Sequence, residues 1–330
     1  MKKFINQPEN VEQEMLSGIA KLHADTVQKV EGYDVITRRI PKENKVALVS
    51  GGGSGHEPAH AGYVGYGMLD AAVAGPVFTS PTPDQVLEGI KAVATDAGTL
   101  LIIKNYTGDV MNFEMAAEMA EMEGYQVDKV VVNDDVAVQD SLYTTGRRGV
   151  AGTVFVHKIT GAAAEAGKNL EEVKAVAEKV IANVRTMGVA ISPCTVPAAG
   201  KPGFEIGADE MEVGIGIHGE PGTHKEKLQS ADEIVTHLMD CILNDLDFSD
   251  SEVALMINDA GATPFMELYI AGNKAAELLA EKGIRLYKSF VGHYMTSIEM
   301  AGFSISLLKL DNELKQLLDA KADTPAFKVM

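Results

Sequence analysis

Three side chains that can move protons or attack a carbonyl each follow an apolar run that reads as a strand. They are His56 in LVSGGGSGHEPAHAGY, Asp109 in LLIIKNYTGDVMNFE and His218 in MEVGIGIHGEPGTH. An unperturbed imidazole titrates near about pH 6.5, so most of it is neutral and nucleophilic at neutral pH, and histidine can form covalent intermediates. Gly216 and Gly219 leave room beside the His218 ring. Ligands of open α/β sheets bind beyond the carboxyl ends of strands. A carboxylate there, such as Asp109, can act as general base toward a hydroxyl, while Lys104 hydrogen-bonds a ligand oxygen. Plainer roles stand beside these: Asp109 as N-cap of a helix beginning near Val110, and His218 as a strand-end histidine bonded to backbone.

The stretch before His56 invites two other chemistries. A phosphate loop of the G-x-x-x-x-G-K-[ST] type needs a lysine on the terminal phosphates, and GGGSGHEP has neither the lysine nor the spacing. His56-Glu57-Pro58-Ala59-His60 matches H-E-x-x-H, but that zinc site needs both histidines on one helical face. Proline sits best in the first helical turn. A helix is therefore predicted to begin near Pro58, leaving His56 in the preceding loop, and no third ligand follows at a suitable spacing. What remains is close approach: Gly51, Gly52, Gly53 and Gly55 let the backbone fold tightly and present N–H groups and Ser54 to a small ligand, with His56 at its edge. The alternative is a tight turn with an incidental histidine. His23, His60, His157, His224 and His237 read as structural or surface residues, and His293 stays open.

The elements that would hold these residues alternate. Predicted strands cover 45–50, 99–104, 129–133, 189–192, 213–218, 253–258, 284–290 and 303–310, all rich in Val, Ile and Leu. Between them lie helices with readable ends. One has Thr82 as N-cap, Pro83 at its first position and Gly98 beyond it. Another has Asn169 as N-cap and runs to Gly188, and two more start near 231 and 264. The pattern predicts an α/β fold of two α/β domains, each a mixed or mostly parallel sheet covered by helices. The proline- and glycine-rich stretch SPCTVPAAGKPGFEIGADEME follows Gly188, so the division is set at 1–187 and 188–330.

The 330 residues suffice for two such domains, and 46% hydrophobic with 23% charged residues is an ordinary globular composition. A net charge of −18 argues against nucleic acid or an anionic membrane surface as partner. The two cysteines, Cys194 and Cys241, form no CxxC pair, and no disulfide framework or metal cluster follows from them. The N-terminus does not read as a signal peptide, and no window approaches 18 uninterrupted apolar residues, so a cytoplasmic location is expected.

Taken together, SGGGSGHEP, FTSPTPDQ, LLIIKNYTGDVMNF, VNDDVAVQDSLYTTGRRGVAGT, CTVPAAGKP, GIGIHGEPG and AGATPFMELY resemble, in this order and along the whole sequence, the substrate-binding K subunit of dihydroxyacetone kinases. The resemblance implies that His218 attacks the carbonyl carbon of dihydroxyacetone through Nε2 and holds it as a hemiaminal. That chemistry selects short ketones and aldehydes over glycerol. It further implies that His56 and Asp109 contact the substrate hydroxyls and assist proton removal, and that Gly53, Ser54, Gly55 and Lys104 complete the pocket. No cofactor is expected on this chain. In single-chain relatives a helical nucleotide-binding domain follows, whereas this sequence ends at Met330. The resemblance is thus to the two-component bacterial form. There a helical L subunit carries ADP/ATP and Mg, is recharged by a phosphotransferase-system protein, and works with a homodimer of the K subunit. The other family-level possibility is a non-catalytic paralogue that binds dihydroxyacetone as a sensor or transcriptional coactivator. Such a binder needs His218 but can lose His56 or Asp109, and both are present.

Overall fold

The computed structural model describes residues 2–138, 144–220 and 222–330. Pro221 and the central part of the motif beginning VNDDVAV, residues 139–143, lie outside the described residues. The first sheet contains β1 (Val27–Lys29), β2 (Val35–Arg38), β3 (Ala47–Ser54), β4 (Ala71–Val77), β5 (Thr99–Lys104) and β6 (Val127–Val132), in the order β1-β2-β4-β3-β5-β6. The four strands from β4 to β6 are parallel, and β1 and β2 add an antiparallel edge. The second sheet contains β7 (Val184–Ala190), β8 (Glu210–Val213), β9 (His224–Lys227), β10 (Glu252–Asp259), β11 (Arg285–Gly292) and β12 (Gly302–Leu310), in the order β11-β10-β12-β7-β8-β9. Only β10 and β11 pair in parallel there, so both sheets are mixed and the second is mainly antiparallel.

The helices are α1 (Val11–Leu22), α2 (Pro83–Val93), α3 (Thr107–Met122), α4 (Thr153–Glu165), α5 (Leu170–Asn183), α6 (Ala231–Asp245), α7 (Phe265–Glu281) and α8 (Asn312–Asp319). Strand alternation sorts them into layers. On β5, Leu101 and Ile103 pack against α2 and α3, while Leu100 and Ile102 join a core with α4 and α5. On β10, Ala254 and Met256 reach that same central core from the other side, and Val253, Leu255 and Ile257 face α6 and α7. α4 and α5 are therefore shared filling between two sheets. The composition of α4 reflects this: Thr153 through Ala164 are all buried, and a helix apolar nearly all round belongs inside. Leu314, Leu317 and Leu318 of α8 return to the central core.

Local signals explain most of the elements. Asn169 makes a capping box with Glu172: the Glu172 N–H donates to Asn169 Oδ1 at 3.0 Å and the Asn169 N–H donates to Glu172 Oε2 at 2.9 Å. Thr82 and Pro83 open α2 as predicted. Three readings need correction. α2 ends at Val93 and α5 at Asn183, where β7 starts at once, because Arg185–Ala190 pair with β12 instead of extending the helix toward Gly188. The glycine run is strand, not loop: Gly51, Gly52 and Gly53 pair with Val73, Ala74 and Gly75 of β4. No α-helix begins near Pro58. Residues 57–60 are turns leading to a short 3-10 turn at Ala61–Tyr63, because Gly65 and Gly67 at positive φ leave no run long enough to sustain a helix.

The predicted strand over 213–218 also fails. β8 ends at Val213, and Gly214, at φ +72°, turns the chain out of the sheet. The edge strands β1 and β9, the short strand β2 and the small-residue strand β4 are not legible from periodicity. Among the described residues no helix is long and apolar enough to cross a membrane.

Candidate active site

His56 stands two residues beyond β3, where the parallel strands of the first sheet end and the loop before β12 crosses over. That loop locks it: Nδ1–H donates to the Thr296 carbonyl at 2.8 Å, and Gly55 O accepts from Ile298 N at 2.8 Å. With the proton fixed on Nδ1, Nε2 carries the lone pair, and it is buried without a hydrogen-bond partner among the described residues. Burial, then the neighbouring His218 and Lys104, pushes the His56 pKa well below its ordinary value, so the ring is neutral. One face stacks on Phe78 with centroids 5.2 Å apart. Gly55 makes this possible, since a Cβ there would lie 2.7 Å from Phe78 Cε1. Phe78 itself sits at φ +58°, a left-handed conformation that costs an aromatic residue energy and that tends to persist at functional sites.

Asp109 is not a cap. α3 begins at Thr107, and Asp109 lies within its first turn, where a carboxylate also suits the helix dipole. Its Oδ1 accepts from the Ser80 hydroxyl, and Oδ2 is 3.6 Å from Lys104 Nζ. Lys104, the last residue of β5, has no exposed surface. Burial lowers its pKa, and Asp109 opposes that shift. Gly52 provides the space for the pair: a Cβ there would lie 2.5 Å from Lys104 Nζ and 3.2 Å from Asp109 Oδ2. Gly52 also sits at φ +150°, where an L side chain is strained, so Gly52→Ala is expected both to lose stability and to displace the lysine, lowering turnover about 10²-fold, as a misplacement of about 1 Å can. Steady-state rates beside thermal unfolding of the same variant check this.

His218 belongs to the turn after Gly214, not to a strand end. Its ring meets His56 edge to face at 4.7 Å between centroids, Tyr106 at 4.4 Å and Phe78 at 5.4 Å. Glu220 wraps back under it, accepting the His218 backbone N–H at 2.8 Å through Oε2, with Oε1 3.9 Å from Nδ1. Arg148, fully buried, anchors the turn. It donates to Gly214 O at 2.7 Å and to Asp135 Oδ2 at 2.6 Å, with Nη1 3.6 Å from Glu220 Oε1. Burial alone would raise the Glu220 pKa, but the nearby His218 ring and the charge of Arg148 outweigh it, and the net shift is downward. Asp135, more deeply desolvated, is pushed up to about 6 despite Arg148. A carboxylate at Nδ1 favours the tautomer that leaves Nε2 free to attack.

A cavity of about 580 Å³ opens in front of these groups, with Asp109, His218, Ser80, Tyr106 and Glu220 on its wall. The structure thus brings His56, Asp109, Lys104 and His218 together. The Gly53 backbone lies within β3, the Ser54 hydroxyl donates to Gly75 O at 2.7 Å, and the Gly55 N–H donates to Glu57 Oε1 at 3.0 Å. Sequence reasoning missed Phe78, Ser80, Tyr106, Arg148 and Glu220 as site residues. Only Glu220 carried a local signal, its place two residues after His218. It also missed His60, which joins Lys104 behind the cavity and does not share a helical face with His56. The Tyr106 hydroxyl is buried without a partner among the described residues, and burial, with nearby Glu220 adding to the effect, holds it neutral.

Fold and site together define a two-sheet α/β protein whose polar cleft sets two imidazoles beside a carboxylate–ammonium pair. The Dak1 domain matches residues 17–326, and the chain belongs to that family. A Listeria innocua protein described as the dihydroxyacetone-binding subunit DhaK of PTS-dependent dihydroxyacetone kinase 1 is 58% identical over 314 residues, covering 95% of each chain. The corresponding Escherichia coli subunit, described as PEP-dependent, is 43% identical over 99% of each chain. Among solved structures, the native dihydroxyacetone kinase of C. freundii superposes with a TM-score of 0.92 at 35% identity, covering 99% of this chain and 60% of that one. A protein described as the dihydroxyacetone kinase operon co-activator Dha-DhaQ superposes with a TM-score of 0.89 at 36% identity, covering 95% of this chain and 97% of that one.

Proposed function

We propose that this chain is the dihydroxyacetone-binding subunit of a phosphotransferase-system-dependent dihydroxyacetone kinase, capturing its substrate as a hemiaminal on His218. The observation that carries this is the edge-to-face pair of His218 and His56, 4.7 Å apart, at a cavity walled by Asp109. The Nε2 lone pair of His218 bonds to the carbonyl carbon, and the C=O π pair moves to oxygen, which takes a proton from solvent water. The Nδ1 proton passes through Glu220 to the hydroxide so formed, so the adduct is neutral and Glu220 ends as the carboxylate. One hydroxyl of the captured ketone then lies between His56 Nε2 and Asp109. Asp109 takes its proton while the oxygen attacks the terminal phosphorus of ATP, and ADP departs. ATP and Mg are supplied by a separate helical L subunit, recharged by a phosphotransferase-system protein, and the chain works as a homodimer. Lys104 and the N-terminus of α3 offset negative charge near the reacting oxygen.

The test is carbon NMR of carbonyl-labelled dihydroxyacetone with the unaltered protein and no nucleotide. A broadened, protein-bound tetrahedral signal supports capture, and its absence overturns it. Addition of an ADP-loaded L subunit with its phosphoryl donor then distinguishes kinase from sensor. The sensor reading is favoured by the likeness to the co-activator. Against it stand His56 and Asp109, which capture alone does not need.

Glu220→Gln preserves shape and removes the charge facing Nδ1. At 3.9 Å from Nδ1 the carboxylate acts by its charge, and an attraction on the order of a few kcal/mol at that distance leads to an expected fall in dihydroxyacetone affinity of roughly tenfold or more. Titration followed by the bound carbon signal measures it.

A further inference from the structure

Behind the cavity, three buried groups follow one another into the central core. Lys104 Nζ is 3.1 Å from His60 Nε2, and His60 Nδ1 is 2.9 Å from His157 Nε2. His157 sits on α4, buried on every side, and its Nδ1 has no hydrogen-bond partner among the described residues. An ammonium can only donate, so the direction of the chain is fixed: His60 Nε2 accepts from Lys104, which puts the His60 proton on Nδ1. That proton is donated to His157 Nε2, which leaves the His157 proton on Nδ1 as well.

We propose that His60 and His157 are positioning residues for phosphoryl transfer, a one-way hydrogen-bond chain anchored on α4 that aims the Lys104 ammonium at Asp109. This rests on the reading of the site as a phosphoryl-transfer site. Lys104 has weak alternatives. Its contact with Gly51 O is 3.4 Å and that with Asp109 is 3.6 Å, so the histidine bond at 3.1 Å is the shortest it makes. A flexible lysine placed in a dry site by one neutral acceptor is sensitive to that acceptor's orientation, which His157 fixes. Both rings are suited to accept. Burial, then the Lys104 charge, moves the His60 pKa well below its usual value and that of His157 down to about 3, so neither competes with Lys104 for the positive charge. Neither ring lines the cavity, whereas His218 does, which separates their effect from capture at His218.

Two measurements on the full-length protein test the chain. Nitrogen NMR of histidine-labelled protein without substrate reads the tautomers: both rings are expected to carry hydrogen on Nδ1 and a bare Nε2, the opposite of the form preferred by free histidine. Hydrogen on His60 Nε2 would reverse the chain and overturn the proposal. Kinetics with an ADP-loaded L subunit then compare His157→Phe and His60→Gln. His157→Phe is expected to lower kcat about 10²-fold with KM nearly unchanged and the hemiaminal signal intact, whereas His60→Gln, which keeps an acceptor near the Nε2 position, retains most of the rate. Equal losses in both variants, or an unchanged kcat in His157→Phe, would sink the positioning role. Loss of the hemiaminal signal in the unaltered protein would instead mark failure of the reading of the site, a result the tautomer spectra do not depend on.

Discussion

Asp109→Asn is expected to bind dihydroxyacetone as the unaltered protein does and to lose about 10²–10⁴-fold in turnover, the range associated with removal of a general base. The substitution is nearly isosteric. An asparagine carbonyl can still accept from the Ser80 hydroxyl, which now bonds Asp109 Oδ1. The other position, 3.6 Å from Lys104 Nζ, becomes an amide facing an ammonium, and both are donors. The proposed capture at His218 uses neither atom, so the hemiaminal signal should persist while single-turnover phosphoryl transfer slows. Near-normal transfer would remove Asp109 from the base role and leave His56 Nε2, neutral and unpartnered among the described residues, as the acceptor of the hydroxyl proton. A double variant with His56→Asn would then separate the two. Loss of the adduct itself would mean that Asp109 holds the ground state, and its part in transfer would have to be measured at saturating substrate.

The sequence made the reactive residues visible but not their company. Asp109 was legible because β5 is a strong apolar strand running straight into it, and strand ends in α/β sheets are where ligands sit. His218 was legible as a histidine between glycines, though for a wrong structural reason, since the apolar alternation of VGIGIH suggested a strand that Gly214 breaks. The glycine run was misread because Gly51 to Gly53 are strand residues whose missing side chains admit β4, Thr79 and Lys104, and nothing in a single sequence distinguishes that from a loop. His60 and His157 read as bland because a histidine on an apolar helix or turn usually is bland. Their partnership with Lys104 depends on how α4 is sandwiched between two sheets. Arg148 anchoring the His218 turn is likewise a contact between distant parts of the chain, invisible to periodicity.

The same reasoning makes His218→Ala the most informative substitution. The variant should give no bound tetrahedral carbon signal, and its affinity for dihydroxyacetone should fall by about 10²-fold or more, equivalent to ~2.7 kcal/mol or more. A three-carbon ligand offers few contacts, and affinity per atom is limited, so a covalent bond is the main means of holding it tightly in a cavity of about 580 Å³. The alanine leaves Phe78, Tyr106 and His56 around a void, and His218 is itself partly exposed, so a modest stability change is expected alongside the affinity loss. Discrimination is the sharper readout. Glycerol differs from dihydroxyacetone at the carbonyl, the group His218 is proposed to attack, while its terminal hydroxyls offer Asp109 and His56 the same partners. The unaltered protein should therefore prefer dihydroxyacetone strongly, and the variant should treat the two ligands nearly alike, both weakly. A variant that still prefers dihydroxyacetone by the original factor would place discrimination in the hydrogen-bonding shell of Asp109 and His56, with His218 reduced to a wall residue. Equal weak binding of both ligands, together with loss of the tetrahedral signal, would assign selectivity to the Nε2–carbon bond and leave Asp109 and His56 to the transfer step.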